Sequence, residues 1–144
     1  VKIAQNKGVL STYLNDTETR IILIAAANST AVADCGIDLF VNICSFQEMT
    51  IPTINTYFDL IKSNSAMFYC CNREEKVLYG GETTIFDQYP WGKCDVVFDE
   101  ECPWTKFFYK IGKDGKIKRK YDGRVRHKLV SYQNSPNQIT GTDR

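Results

Sequence analysis

The sequence predicts an α/β fold, with mostly parallel strands first and antiparallel strands at the C-terminal end. Three observations carry this. Bulky apolar runs recur in "TRIILIAA", "DLFVNIC" and "AMFYCC", each the length of a buried strand. Between the second and third runs lies a stripe of apolar residues at helical spacing. Beyond residue 94 the pattern changes to alternation, with Asp114-Gly115 as a hairpin turn. At 144 residues the chain fits a single domain, and 43% apolar with 24% charged residues suits a globular protein.

Taken in order, "VKIAQNKGVLSTYL" spaces Val1, Ala4, Val9, Tyr13 and Leu14 as the tail of a helix. Arg20–Ala26 follows as a strand, and residues 28–36 as a loop or short helical turn. Asp38–Cys44 is the second strand. Thr50 then offers an N-cap and Pro52 sits in the first turn, where its missing N–H is harmless. Ile51, Ile54, Phe58 and Ile61 form the stripe of a helix ending near Ser63. Ala66–Cys71 is the third strand, completing a βαβ unit whose crossover should be right-handed. "GGETTIFDQYPWGK" reads as a loop or irregular hairpin. Strands follow at Val96–Phe98, on either side of Asp114-Gly115, and at Val125–Ser131. Residues 1–72 thus form the βαβ portion, 73–133 a β-rich closing portion, and 134–144 a flexible polar tail.

Six cysteines could make three bridges, but Cys44, Cys70 and Cys71 fall inside apolar runs, where the thiol serves as a small hydrophobe. No CxxC spacing occurs and His127 is the single histidine, so zinc is not expected. Reduced thiols and a cytoplasmic location are the expectation. No run approaches the roughly 20 apolar residues of a membrane span, and no leader pattern is evident. The first residue is Val1 rather than Met, so the chain reads as a fragment or a processed piece. The net charge of +1 is uneven: residues 106–128 carry a local balance of +8 and the remainder −7.

The stretch "DLFVNICSFQEM" passes abruptly from apolar residues to groups that bind and exchange protons. Asp38 to Asn42, Ser45 to Met49, Tyr57-Phe58 and Asn72-Arg73 together resemble the sugar O-methyltransferases, class I enzymes that use S-adenosylmethionine. The upstream "AQNKGVLSTYL" is similar to the helix after their second strand, and the resemblance spans roughly residues 4–99. It implies a partial Rossmann-like methyltransferase sheet in which Arg20–Ala26, Asp38–Cys44 and Ala66–Cys71 are the third, fourth and fifth strands. Val96–Phe98 and Val125–Ser131 would be the antiparallel closing strands. The family's first strand with its glycine-rich loop, and the acidic residue after its second strand, have no counterpart here. The resemblance therefore implies an S-adenosylmethionine-dependent parent and a chain that is incomplete, and inactive, alone.

Candidate site residues cluster where the strands end, the usual ligand position in open α/β sheets. Glu48, just before a helix start, could take a proton from a sugar hydroxyl or merely complement the helix dipole. Asn42, polar inside an apolar strand, needs partners in the backbone or the cofactor. Ser45 caps a turn or touches a ligand, and Asn28 follows the strand after which this fold places adenine contacts. Gln47, Asn72 and Arg73 are candidates for the acceptor, Arg73 as a clamp for a carboxylate or phosphate. Trp91, in the loop Tyr89-Pro90-Trp91, could stack on a sugar ring or cover the core edge. His127 shares a strand face with Val125 and Leu129, as a buried structural histidine or a base with its ordinary pKa of about 6.5. Asp99-Glu100-Glu101 could bind magnesium or form a solvated acidic turn.

The resulting expectation is methyl transfer to a sugar hydroxyl in the parent, by in-line displacement at the sulfonium methyl, with a small-molecule acceptor and no membrane partner. Two alternatives differ in kind. Lys/Arg residues interleaved with Phe107, Phe108, Tyr109 and Tyr121 suit a nucleic-acid-binding hairpin. A non-catalytic interaction remnant is the other.

Overall fold

In a computed structural model, residues 1–19, 21–107, 109–120 and 123–133 are described. The predicted tail at 134–144 lies outside them, as do Arg20, Phe108 and Tyr121. The fold is mixed α/β, with strand pairs of both orientations.

The opening segment is not one helix. Strand β1 spans Lys2–Ala4, and helix α1 begins only at Lys7 and runs to Leu14. Asn6 separates them: its side-chain oxygen accepts from the Val9 N–H, which caps the helix start. Strand β2, Ile22–Ile24, pairs in parallel with β1. This corrects the expectation of one parallel sheet containing all three apolar runs. β2 belongs to a separate two-stranded ribbon and makes no ladder with the strand that follows. A seven-residue 3-10 turn, Ala26–Val32, fills the predicted loop.

The main body is built on strand β3, Leu39–Ile43, helix α2, Ile51–Ser63, and strand β4, Met67–Arg73. β3 and β4 pair in parallel, as the βαβ pattern predicts. Ile54, Phe58 and Ile61 of α2 are fully buried, so the helical stripe faces the sheet. At the far end of α2, Asn64 donates to the carbonyls of Leu60 and Val32 and accepts from the Ile37 N–H. One amide thus ends the helix and fastens the chain entering β3.

Strands β5, Glu75–Val77, and β6, Thr83–Ile85, make the irregular hairpin. Strand β7 spans Asp95–Glu101. Strands β8, Tyr109–Ile111, and β9, Ile117–Lys120, form the hairpin around Asp114-Gly115. Strand β10, Val125–Ser131, inserts between β4 and β7 and is antiparallel to both, giving the order β3-β4-β10-β7. β7 thus runs in the same direction as β4, so of the two closing strands expected to be antiparallel only β10 opposes the parallel pair.

One face of this four-stranded sheet meets α2. Phe46, Phe58, Phe68, Phe86, Tyr89 and Trp91 interlock there, with Phe58 edge-on to Phe68 and Trp91 at ring separations of 5.4 and 5.2 Å. On the opposite face Leu39, Val41 and Ile43 remain 51%, 56% and 59% exposed.

Candidate functional site

The polar residues after β3 fold into a compact turn because the chain reverses sharply at Cys44. That residue takes φ +55°, a left-handed conformation unusual for any residue but glycine. A short 3-10 turn, Phe46–Glu48, follows and leads into α2.

Asn42 holds the start of this turn. Its amide nitrogen donates to Ser45 Oγ at 2.5 Å, and its oxygen accepts from the Phe46 N–H and from Asn72 Nδ2 at 2.8 Å. Asn72 and Gln47, both buried, lace the turn to the end of β4. The Gln47 N–H donates to Asn72 Oδ1, and Gln47 Oε1 accepts from the Arg73 N–H at 2.8 Å. Buried amides must find partners, and here they find each other. Asn42, Ser45, Gln47 and Asn72 are therefore brought together as expected, in a network that fixes the turn geometry.

Glu48 sits at the outer edge of that network. It accepts from Gln47 Nε2 and pairs with Lys76 Nζ of β5 at 3.0 Å. The Lys76 hydrogen bond holds its carboxyl below the usual range against the opposing effect of burial. The helix dipole is not needed for this, because Glu48 lies before the Thr50 cap and outside the first turn of α2. Thr50 itself makes no side-chain cap; Glu82 Oε1 instead accepts from the Ile51 N–H.

A cleft of about 380 Å³ opens beside the turn. Its walls include Ile24 to Ala26, Asn42, Ser45, Met49 and Tyr57, and among the described residues no charged side chain lines it. Such walls fit a flat aromatic ring and offer Asn42 and Ser45 at one rim. They do not fit the charged methionine end of S-adenosylmethionine, for which a carboxylate partner is needed. Asn28 lies in the 3-10 turn that contributes Ser29 to the cleft.

The other candidates are elsewhere. Trp91 is 8% exposed and donates its indole N–H to the Phe86 carbonyl at 3.0 Å. It is packed into the core, which fits the second of the two roles read from the sequence, covering the core edge, and not stacking on a sugar ring. His127 pairs in register with Cys71, on the sheet face opposite Phe68 and Cys70. It lies between Tyr69 OH, 3.2 Å from Nδ1, and Glu100 Oε1, 3.3 Å from Nε2, with the Phe98 ring tilted against it at 4.9 Å. Residues at the α2-side cleft do not include it. Arg73 ends β4 with its backbone in the Gln47 network.

Asp99 does not face solvent as part of an acidic turn. It receives Arg126 Nε at 2.5 Å and Lys128 Nζ at 3.0 Å, and these cations hold its carboxyl low against partial burial. No three His, Cys, Asp or Glu side chains gather as a metal site among the described residues. All six thiols are free, with Cys71 Sγ and Cys102 Sγ 3.6 Å apart; burial pushes the Cys71 thiol up to about 12. No described helix is long and apolar enough to cross a membrane. Sequence reasoning missed Lys76, because the strand that carries it lies upstream of the stretch read as an irregular hairpin. The chain matches no family model, no curated protein and no solved structure.

Proposed function

We propose that residues 1–144 form the C-terminal part of a Rossmann-like, S-adenosylmethionine-dependent O-methyltransferase acting on a sugar hydroxyl, with catalysis belonging to the full-length parent. One observation carries the reading. The strands that the resemblance makes fourth and fifth are parallel neighbours, and the last strand lies antiparallel between the fifth and β7, which itself runs in the same direction as the fifth. The cleft at the strand ends supports it further, since Asn42 and Ser45 line it and the same laced turn carries Glu48, paired with Lys76. In this reading the apolar cleft receives the adenine ring, and Glu48 accepts a hydrogen bond from the acceptor hydroxyl.

The test is transfer of a labelled methyl group from S-adenosylmethionine to a panel of sugars by the full-length parent. Glu48→Gln should lower turnover by about 10²-fold, the lower end of general-base effects, because Lys76 weakens the carboxylate as a base. Cofactor affinity should be unchanged. No transfer to any sugar would sink the reading, and unchanged turnover would remove Glu48 from it.

A second reading has its own observation. Trp104 and Phe107 are exposed with ring centroids 6.2 Å apart, next to the basic β8–β9 hairpin. Aromatic faces beside cations suit single-stranded nucleic acid.

A further inference from the structure

Glu48 is held by one of its two oxygens. Gln47 Nε2 donates to Oε1 at 3.3 Å, and Lys76 Nζ donates to the same atom at 3.0 Å. Among the described residues Oε2 takes no hydrogen bond. The two oxygens of an ionised carboxylate are equivalent acceptors, so two donors on one of them decide which oxygen is presented outward. Both donors are better covered than the group they hold. Gln47 is buried and the Lys76 side chain is 26% exposed, against 54% for Glu48.

Two long side chains meeting on a surface are ordinarily loosely placed. Lys76 is placed by the hairpin that carries it. It pairs in register with Thr84, which is buried and donates its hydroxyl to the Lys76 carbonyl at 3.3 Å. The same hairpin is fastened a second time, where Glu82 Oε1 accepts from the Ile51 N–H at 3.3 Å. It is therefore tied at Glu48 and at the first residue of α2, on either side of Thr50. The Lys76 hydrogen bond is also the largest influence on the carboxyl, with a smaller attraction from Arg73 at the end of β4.

We infer that Lys76 is a positioning residue for the transfer proposed above: with Gln47 it pins Oε1 of Glu48, so that Oε2 is the atom that accepts from the acceptor hydroxyl. The inference rests on Glu48 acting at the acceptor. Lys76 acts through Glu48 and not on the acceptor itself. Its two effects, aim and ionisation, are both read at the carboxylate, which separates this role from a merely stabilising ion pair.

The experiment compares Lys76→Met, which removes the charge, with Lys76→Arg, which keeps it, each checked for native circular dichroism. If Lys76→Met does not fold, Lys76→Gln takes its place. In this chain, carboxyl NMR titration should show the Glu48 pKa raised by Lys76→Met, because the cation favouring the charged form is gone, and still depressed in Lys76→Arg. In the full-length parent, Lys76→Met should lower kcat by about tenfold through lost aim, with KM for the sugar little changed. The acidic limb of its kcat/KM profile should move to higher pH together with the Glu48 titration, and Lys76→Arg should restore both. A parent that loses turnover with Glu48→Gln but keeps turnover and pH limb with Lys76→Met, losing only melting temperature, would overturn this inference and leave the proposed function standing. A parent indifferent to both substitutions would overturn the proposed role of Glu48, and this inference with it.

Discussion

Asn72 is buried; it accepts from the Gln47 backbone and donates to Asn42 and Cys70 Sγ. Truncating it leaves the buried Gln47 N–H without its acceptor and takes one of the two donors from Asn42 Oδ1. Asn72→Ala should therefore lower the unfolding free energy by about 1–3 kcal/mol in urea denaturation. A loss below about 0.5 kcal/mol would mean the turn holds without the lacing. Glu48 makes a smaller, pH-dependent contribution. Its folded-state pKa is depressed, so the stabilisation is present above the unfolded pKa of about 4.3 and disappears as pH falls through the folded value. Its side chain is more than half exposed, which limits the effect to less than about 1 kcal/mol. Glu48→Gln should slightly lower the melting temperature at pH 7 and leave it unchanged near pH 2. A larger loss at the acidic end would reverse the assigned sign. These residues were legible as a group because polar side chains at the end of an apolar strand need partners. Which partner each chose was not legible: Asn72, Gln47 and Lys76 meet across separations of about 25 to 30 residues.

Helix α2 is the element on which the main core depends. Phe58 contacts the rings of Phe46, Phe68, Tyr89 and Trp91 and is 0% exposed. Phe58→Ala should cost about 3–5 kcal/mol by lost transfer energy and an unfilled cavity, measured by chemical denaturation with an unchanged slope. A fall under about 1 kcal/mol would imply that the aromatic cluster collapses to fill the space. The helix was readable because Ile54, Phe58 and Ile61 repeat at three and four. β10 was readable by alternation within Val125–Ser131, and its bounds agree with the structure. β1 was not, since three residues offer too little period and Ala4 fits a helical face as well as a strand. Insertion of β10 between β4 and β7 was also hidden, because strand order is set by long-range packing.

At the scale of the molecule, the charge asymmetry partly dissolves on folding. Arg126 and Lys128 belong to β10 and engage Asp99, with Arg126 also reaching Asp87, so they are not part of the basic β8–β9 hairpin. Binding of a labelled single-stranded oligonucleotide at physiological salt should be no tighter than about 10⁻⁴ M. Tighter binding with a steep salt dependence would favour the nucleic-acid reading. Stability should be uneven as well. β4 and β10 are each flanked by strands on both sides, and Phe68, Cys70 and Val130 bury their side chains against α2. The β1–β2 ribbon has two strands, a small cluster of Ala4, Leu10 and Ala31, and exposed Ile3 and Leu23. Two strands alone are marginal in water, so this ribbon should open without unfolding the rest. Native-state hydrogen exchange should give the slowest amides in β4 and β10, at the global unfolding free energy. Hydrogen-bonded amides of β1 and β2 should exchange faster through local opening, nearly insensitive to low denaturant. Equal protection in both sheets would mean that the ribbon and the four-stranded sheet unfold as one cooperative unit, with the cleft between them too tightly coupled to open locally.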